Sequence, residues 1–202
     1  MTPIKRLSLE IARLKEYGEL SEVGDIVRRY FAMNAFDGVL TILGVLIGAY
    51  VAGVQEPDVI VTTGLSTAAA MGVSGLWGAA LTETAERKKS LDELEEATLS
   101  DLGDTKIGKA SKLAVVVVSL ADALAPLVSG VLVLVPFILG SLLPDIMIAY
   151  YASLAIGLAT LFSLGMFLGW VSKDNLFVTG LKTVSAGLVS MAIGFILSPG
   201  TV

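Results

Sequence analysis

The chain of 202 residues is 54% hydrophobic and only 16% charged, with a formal net charge of −5. Soluble domains usually carry about 25% charged residues, so this composition excludes an ordinary soluble domain and indicates a polytopic helical membrane protein. Cysteine and histidine are absent, which excludes disulfides, thiolate metal sites and zinc motifs built on histidine. The acidic balance also argues against nucleic acid as a partner.

Residues 1–32 are predicted to form an amphipathic N-terminal arm. Ile4, Leu7, Ile11 and Leu14 recur at steps of three and four residues and make one apolar stripe. Basic side chains lie off that stripe, which is typical of a helix that lies on an anionic membrane surface. The alternative is a solvated helix that packs on another domain.

Five apolar runs follow, each longer than the roughly 20 residues that cross about 30 Å of hydrocarbon. They are Met33–Val54, Val59–Leu81, Leu113–Val135, Ile146–Val171 and Leu176–Leu197. Residues 33–81 are therefore predicted to hold transmembrane helices 1 and 2, and residues 113–197 to hold helices 3 to 5. Residues 82–112 between them form an acidic segment that is helical in pattern up to Leu99. Pro136 and Pro144 bracket the link after the third span. The predicted fold is an all-α membrane protein.

All 14 Lys and Arg residues fall on one side of this topology. They lie in residues 1–32, in residues 82–112 and around the turn after the fourth span, whereas the links 55–58 and 136–145 contain none. The positive-inside rule makes this side cytoplasmic. Five spans then put the N-terminus in the cytoplasm and the C-terminus outside, in a multi-pass protein of the cell membrane.

Asp37 lies near the start of the first apolar run. An ionised carboxylate at the centre of a spanning helix costs roughly 2.5–3.5 kcal/mol on insertion scales, so intramembrane acids usually have a function. The hypothesis is a metal ligand, a proton carrier, or both in alternation, because protons and cations compete for one carboxylate. The alternative is a structural Asp that bonds to backbone or pairs with Arg28 or Arg29.

Two further residues are candidates for a role in moving a metal ion or protons through the membrane. Asp122 lies about ten residues into the third span, one turn before Pro126, and is predicted to line a pore or carry protons. Its alternative role is a structural hydrogen bond to another helix. Met71 lies in the middle of the second span, where its thioether is either a soft metal ligand or simply part of the packing.

The acidic segment carries a second signal. At about 100° per residue, four glutamates fall within about 140° of one helical face; they are Glu83, Glu86, Glu93 and Glu96. If the second span continues as a helix, these side chains form a column that gathers divalent cations below a pore. The alternative is an ordinary solvated helix with Glu–Lys neighbours.

Nothing in the sequence predicts an enzyme, because no Ser/His or Cys/His set, HExxH motif or phosphate-cradling loop is present. No prosthetic group is expected. The chain does contain a GxxxG pattern at Gly44–Gly48, and Gly180, Gly187 and Gly194 recur every seven residues. Small residues at these spacings let helices approach closely, which favours tight packing and a dimer seam.

Several of these motifs resemble the vacuolar iron transporter family. The stretch Asn34–Gly38 resembles the Asn-Asp-Gly signature that opens the family's first span. Ser66 to Met71 resembles the small-residue and Met stretch of its second span, Leu134 to Phe137 the proline-bearing exit of its third, and Gly180 to Gly194 its last. The chain departs from the family at Arg28–Tyr30 and at Gly75–Trp77, where the family often has glutamates. These departures predict a divergent member.

The resemblance implies a homodimeric transporter of Fe²⁺ or Mn²⁺ that exchanges metal for protons. It implies Asp37 and Met71 as pore ligands and the cytoplasmic glutamates as metal collectors. The predicted function is therefore export or sequestration of a divalent transition metal from the cytoplasm. Two alternatives are a transporter for a different cation and a non-transporting membrane scaffold or metal sensor.

Overall fold

A computed structural model describes residues 23–140 and 143–197. The described residues form α-helices joined by short turns, with no β-strand among them. The helices are α1 (Val23–Val51), α2 (Pro57–Thr98), α3 (Lys106–Ile138), α4 (Ile146–Ser172) and α5 (Leu176–Leu197). Within this described part, all five are long and apolar enough to cross a membrane. The prediction of an all-α chain with five such helices is confirmed.

The helix ends follow local capping chemistry. The Asp145 side chain accepts a hydrogen bond from the Met147 amide at 3.0 Å and begins α4. Lys173, at φ 59°, ends α4 in the left-handed conformation. Asn175 then caps α5 by accepting from the amides of Phe177 and Val178. These caps explain why the predicted bounds of the last two spans agree with the structure within one residue.

The first three helices differ from the predicted spans at their ends. α1 begins at Val23, ten residues before Met33, so residues 23–32 are the first turns of this helix. The remainder of the predicted arm, residues 1–22, lies outside the described residues. α2 continues without a break to Thr98, as the prediction of a helical extension required.

α3 also extends beyond its predicted span at both ends. It begins at Lys106 and includes Gly108 in its first turn. It also includes Pro126 and Pro136, and the expectation that Pro136 begins a link is wrong. A proline removes one backbone hydrogen-bond donor, and the hydrogen bonds of the neighbouring turns keep the apolar helix intact around the missing bond.

The chain divides into two compact units. The first unit contains residues 23–31 and Ser74–Ala123 among the described residues. The second contains Ala32–Val73 with residues 124–140 and 143–197. α1, α2 and α3 contribute residues to both units, whereas α4 and α5 belong to the second.

The core of the second unit is a cluster of buried aliphatic and aromatic side chains. α1 supplies Val39, Ile42, Leu43 and Leu46, and the other members come from α2, α3 and α4. Tyr150 of α4 is 1% exposed, and its hydroxyl donates to the Val54 carbonyl at 3.0 Å. The packed face of α1 is therefore well defined, and the residues on the opposite face can be identified as those that lie outside the core.

Candidate ion-binding residues

The Asp37 side chain is exposed on α1. Within the described part of the chain it makes no hydrogen bond and no ion pair. Arg28 pairs with Asp25, and the Arg29 guanidinium lies 5.7 Å from the Tyr30 ring centroid. Among the described residues, Asp37 therefore does not pair with Arg28 or Arg29, as the alternative interpretation required.

Asp37 belongs to a face of small and polar residues along α1. Asp37, Thr41, Gly44 and Gly48 fall within about 60° of each other at 100° per residue. A Cβ added at Gly44 or at Gly48 would meet nothing within 4 Å. The buried side chains of α1 point to the opposite side, so we call these four residues the open α1 face.

Met71 is half-buried in α2. At 100° per residue it follows Ile60, Gly64 and Ala68 on the same side of the helix. This side packs within the second unit, because a Cβ at Gly64 would lie 2.7 Å from a Leu134 methyl group. Met71 therefore lies next to residues through which α2 packs within the second unit.

A polar cluster lies in the first unit around Glu83. This side chain is only 6% exposed, and its Oε2 lies 3.4 Å from the Arg87 Nε. The Tyr30 side chain also lies close enough to the Glu83 carboxylate to interact with it. Two partners at a buried carboxylate lower the cost of its burial.

Glu83 lines a polar groove of about 500 Å³. Residues from α1, α2 and α3 contribute, including Tyr30, Glu86, Arg87 and Ser111. Among the described residues, the lining contains two acids and two arginines, so the formal charge of this described lining is balanced. Glu86 is exposed at this groove, and Glu83 forms part of its wall.

Asp122 is buried in the first unit, at 6% exposed. Its main-chain oxygen would lie 3.0 Å from a Cβ built on Gly75, and its Oδ2 would lie 3.1 Å away. A glycine at this point of α2 therefore allows the close approach of α3. Pro126 lacks the amide hydrogen that would otherwise bond the Asp122 carbonyl. Electrostatic interaction links Asp122 to Tyr30, which is also a partner of Glu83.

The four glutamates of the predicted column do not share one environment. Glu83 is buried, whereas Glu86, Glu93 and Glu96 are exposed. Glu93 lies 3.9 Å from Lys89, and the described residues contain no group of three acids that could hold a metal ion. The reason is that Glu83, Arg87, Leu91 and Glu95 follow the packed side of α2, and the predicted column overlaps that side only at Glu83.

Tyr30, Gly75 and Arg87 belong to this cluster although they are not among the residues predicted from the sequence. Arg87 follows Glu83 by four residues, and an acid at i with a base at i+4 is a signal for a helical ion pair. Tyr30 and Gly75 stand out in the sequence only as parts of the two departures from the resembled family, and their roles in this cluster depend on which helix faces pack together.

The five long apolar helices define the class of the protein, a multi-pass helical membrane protein. No family model matches the chain. It is similar to the uncharacterized protein MJ0645 of Methanocaldococcus jannaschii, at 34% identity over 173 residues, which cover 84% of this chain and 87% of the relative. The chain belongs to the same family as MJ0645.

Proposed function

We propose that the chain is a secondary transporter that moves a divalent transition metal, Fe²⁺ or Mn²⁺, out of the cytoplasm in exchange for protons. The observation that carries this proposal is Asp37, an exposed carboxylate without a partner in the described residues, on a helix that is apolar enough to span a membrane. An ionised carboxylate that faces lipid costs several kcal/mol. Binding of a cation or a proton to Asp37 would therefore neutralise an energetically unfavourable charge.

The open α1 face supports a homodimer. Gly44 and Gly48 have no neighbour within 4 Å of an added Cβ, and their four-residue spacing is that of close helix pairs. A second copy of α1 against this face would remove Asp37 from lipid and place two carboxylates at one seam. Paired carboxylates are oxygen ligands for a divalent cation, and they share a proton when the metal leaves.

The polar groove of the first unit supports a route for metal from the cytoplasm. The positive-inside rule assigns the arginines and lysines of this unit to the cytoplasmic side, with the N-terminus inside and the C-terminus outside. Glu86 at the surface and Glu83 in the groove wall are the two acids that a hydrated cation would meet. Glu93 and Glu96, both exposed, would raise the local concentration of cations.

Met71 and Asp122 have separate roles in this proposal. A thioether prefers a soft cation, so Met71 as a ligand would favour Fe²⁺ over Mg²⁺ or Ca²⁺. Asp122 is a buried acid linked electrostatically to Tyr30, and we assign it to proton transfer or gating. The resemblance of the motifs around Asp37 and Met71 to those of vacuolar iron transporters points to the same cations.

Exchange follows from competition at one carboxylate. An ionised Asp37 binds the metal, and a proton from the opposite side neutralises the same group and releases the metal. Neutral and metal-bound states both avoid an isolated charge in hydrocarbon. An inward proton gradient would therefore drive metal outward.

Metal flux in proteoliposomes tests this function. The purified chain is reconstituted, a pH gradient is imposed, and uptake of Fe²⁺, Mn²⁺, Co²⁺ and Zn²⁺ is compared. We expect gradient-dependent flux of Fe²⁺ or Mn²⁺, and its loss in Asp37→Asn. Asp58→Asn is the matched control, because Asp58 is an exposed acid outside the open α1 face. Equal flux in Asp37→Asn and the parent would refute the mechanism.

The same measurement separates the rival functions. A non-transporting scaffold or metal sensor would bind metal without flux under any gradient. Transport of another cation would appear as flux that Fe²⁺ and Mn²⁺ do not inhibit.

A further inference from the structure

A second cavity in the first unit lies between α2 and α3 and has a volume of about 290 Å³. Its polar lining consists of cationic and hydroxyl side chains, namely Thr84, Arg87, Lys88, Ser111 and Lys112. Among the residues that the structure describes, no aspartate or glutamate lines it. We call this cavity the basic cleft.

The charge of the basic cleft contrasts with that of the polar groove beside it. The two cavities share Arg87 and Ser111, but the groove also contains Glu83 and Glu86. Arg87 directs its Nε toward Glu83 at 3.4 Å, so that ion pair lies at the wall between them. Lys88 and Lys112 have no carboxylate beside them among the described residues that line the cleft, so this described lining carries an excess of positive charge that suits an anion.

The position of the basic cleft along the helices matches the depth of lipid headgroups. The apolar run of α2 ends at Leu81, and Arg87 follows six residues later, or about 9 Å at 1.5 Å per residue. Lys112 directly precedes the apolar run of α3. Headgroup regions add roughly 5–7 Å on each side of the hydrocarbon. Lys112 therefore lies at the edge of the hydrocarbon, whereas the backbone of Arg87 lies slightly beyond the headgroup layer. Because helical side chains tilt toward the helix N-terminus, those of Arg87 and Lys88 extend back toward the phosphates of one leaflet.

The cleft also offers apolar surface. Val115 and Leu91 belong to the lining, and Val115 lies within the apolar run of α3. A free inorganic anion gains nothing from such surface, whereas the glycerol and first methylenes of a phospholipid do. Basic pockets between membrane helices are suited to anionic lipid headgroups.

We infer that the basic cleft binds the headgroup of an anionic membrane phospholipid, whose phosphate is held by Lys88 and Lys112, with Arg87 and Ser111 at the wall. A lipid bound there bridges α2 and α3 at the point where both leave the apolar region. The inference rests on the membrane class of the protein and does not depend on which ion is transported.

Native mass spectrometry of the full chain tests the inference. The detergent-purified protein is given equal amounts of phosphatidylglycerol and phosphatidylcholine with identical acyl chains. We expect the parent to retain phosphatidylglycerol preferentially, and Lys88→Gln/Lys112→Gln to reduce that retention by about thirtyfold, because each of the two basic residues near anionic lipid contributes on the order of 1 kcal/mol and about 1.4 kcal/mol is a factor of ten. Equal retention of the two lipids by the parent would overturn the inference.

The matched control is Lys89→Gln/Lys109→Gln. These lysines are exposed on the same two helices and do not line the basic cleft. We expect phosphatidylglycerol retention in this variant to stay within about twofold of the parent, because screening weakens distant surface charges. An equal loss in both double variants would mean nonspecific charge attraction and would contradict a built site.

A competition experiment with inorganic phosphate distinguishes a bound lipid from an anion in solution. Excess inorganic phosphate is added to the lipid-bound parent beside sodium chloride of equal ionic strength. Retention of the lipid in both salts supports the inference, whereas selective displacement by phosphate would assign the cleft to a free phosphate group instead. The parent's preference between the two lipids keeps the test decisive even where a variant folds poorly.

Discussion

Two surfaces of the second unit carry small residues at similar spacing but have opposite environments. Along α4 and α5, Gly165, Gly180 and Gly187 are buried against the neighbouring helix. A Cβ at Gly165 would lie 2.7 Å from both the Gly180 Cα and the Thr179 carbonyl oxygen. On the open α1 face, a Cβ at Gly44 or Gly48 would meet no described residue within 4 Å.

The difference shows that a small-residue pattern encodes close approach but does not identify the partner. The α4–α5 seam is closed within one chain, and Thr183 of α5 donates to the Leu161 carbonyl of α4 at 2.8 Å across it. The open α1 face has Asp37 in the same row and no partner within the described residues. A second copy of the chain is the partner that we propose for it.

The largest effect on stability is expected at the closed seam. Gly165→Ala should lower the free energy of unfolding by about 1–3 kcal/mol, because backbone atoms of α5 cannot withdraw from the added methyl group. Gly48→Ala should change it by less than about 1 kcal/mol, since its methyl group enters open space and alanine favours helix. Unfolding in mixed micelles measures both, and equal losses would contradict the comparison.

A larger side chain on the open face should change association without changing the fold. Gly48→Leu is expected to weaken self-association by about tenfold, because a bulky residue separates paired helices. Ala155→Leu is the control, since Ala155 is exposed on α4. Energy transfer between labelled copies in liposomes gives the association constant. Unchanged association in Gly48→Leu would show that this face is not a dimer seam.

The smallest effect concerns the packed side of α1. Tyr150→Phe removes the hydrogen bond to the Val54 carbonyl and keeps the edge-to-face contacts of the ring with Tyr50 and Phe137. We expect a loss of about 0.5–1.5 kcal/mol in the free energy of unfolding. Self-association should stay the same, because the change lies away from the open face. A change in association would mean that the two faces are coupled.

Most of the helical architecture could be predicted from apolar run lengths and caps. α4 and α5 agreed closely because Asp145 and Asn175 are strong capping residues beside polar turns. The start of α1 was missed because polarity marks the edge of the apolar region, whereas helix continues through Arg28 and Arg29.

The candidate site was harder to predict than the helices. Asp37 and Asp122 looked alike in sequence, each a single acid in an apolar run, yet one is exposed and the other is buried. The glutamates of α2 looked equivalent too, and only Glu83 of the four is buried. Which side of a helix packs against its neighbours is a tertiary property, and helical periodicity alone does not determine it.

Access of water to position 37 is the most direct test of the central claim, that Asp37 lies on the ion path. The chain has no native cysteine, so Asp37→Cys in proteoliposomes carries a single thiol. A charged, membrane-impermeant thiol reagent should modify it at least about tenfold faster than Val128→Cys, because thiolate forms in water and not in lipid. Val128 is 59% exposed on apolar α3. If Asp37→Cys reacts as slowly as Val128→Cys, position 37 faces lipid and the account is contradicted.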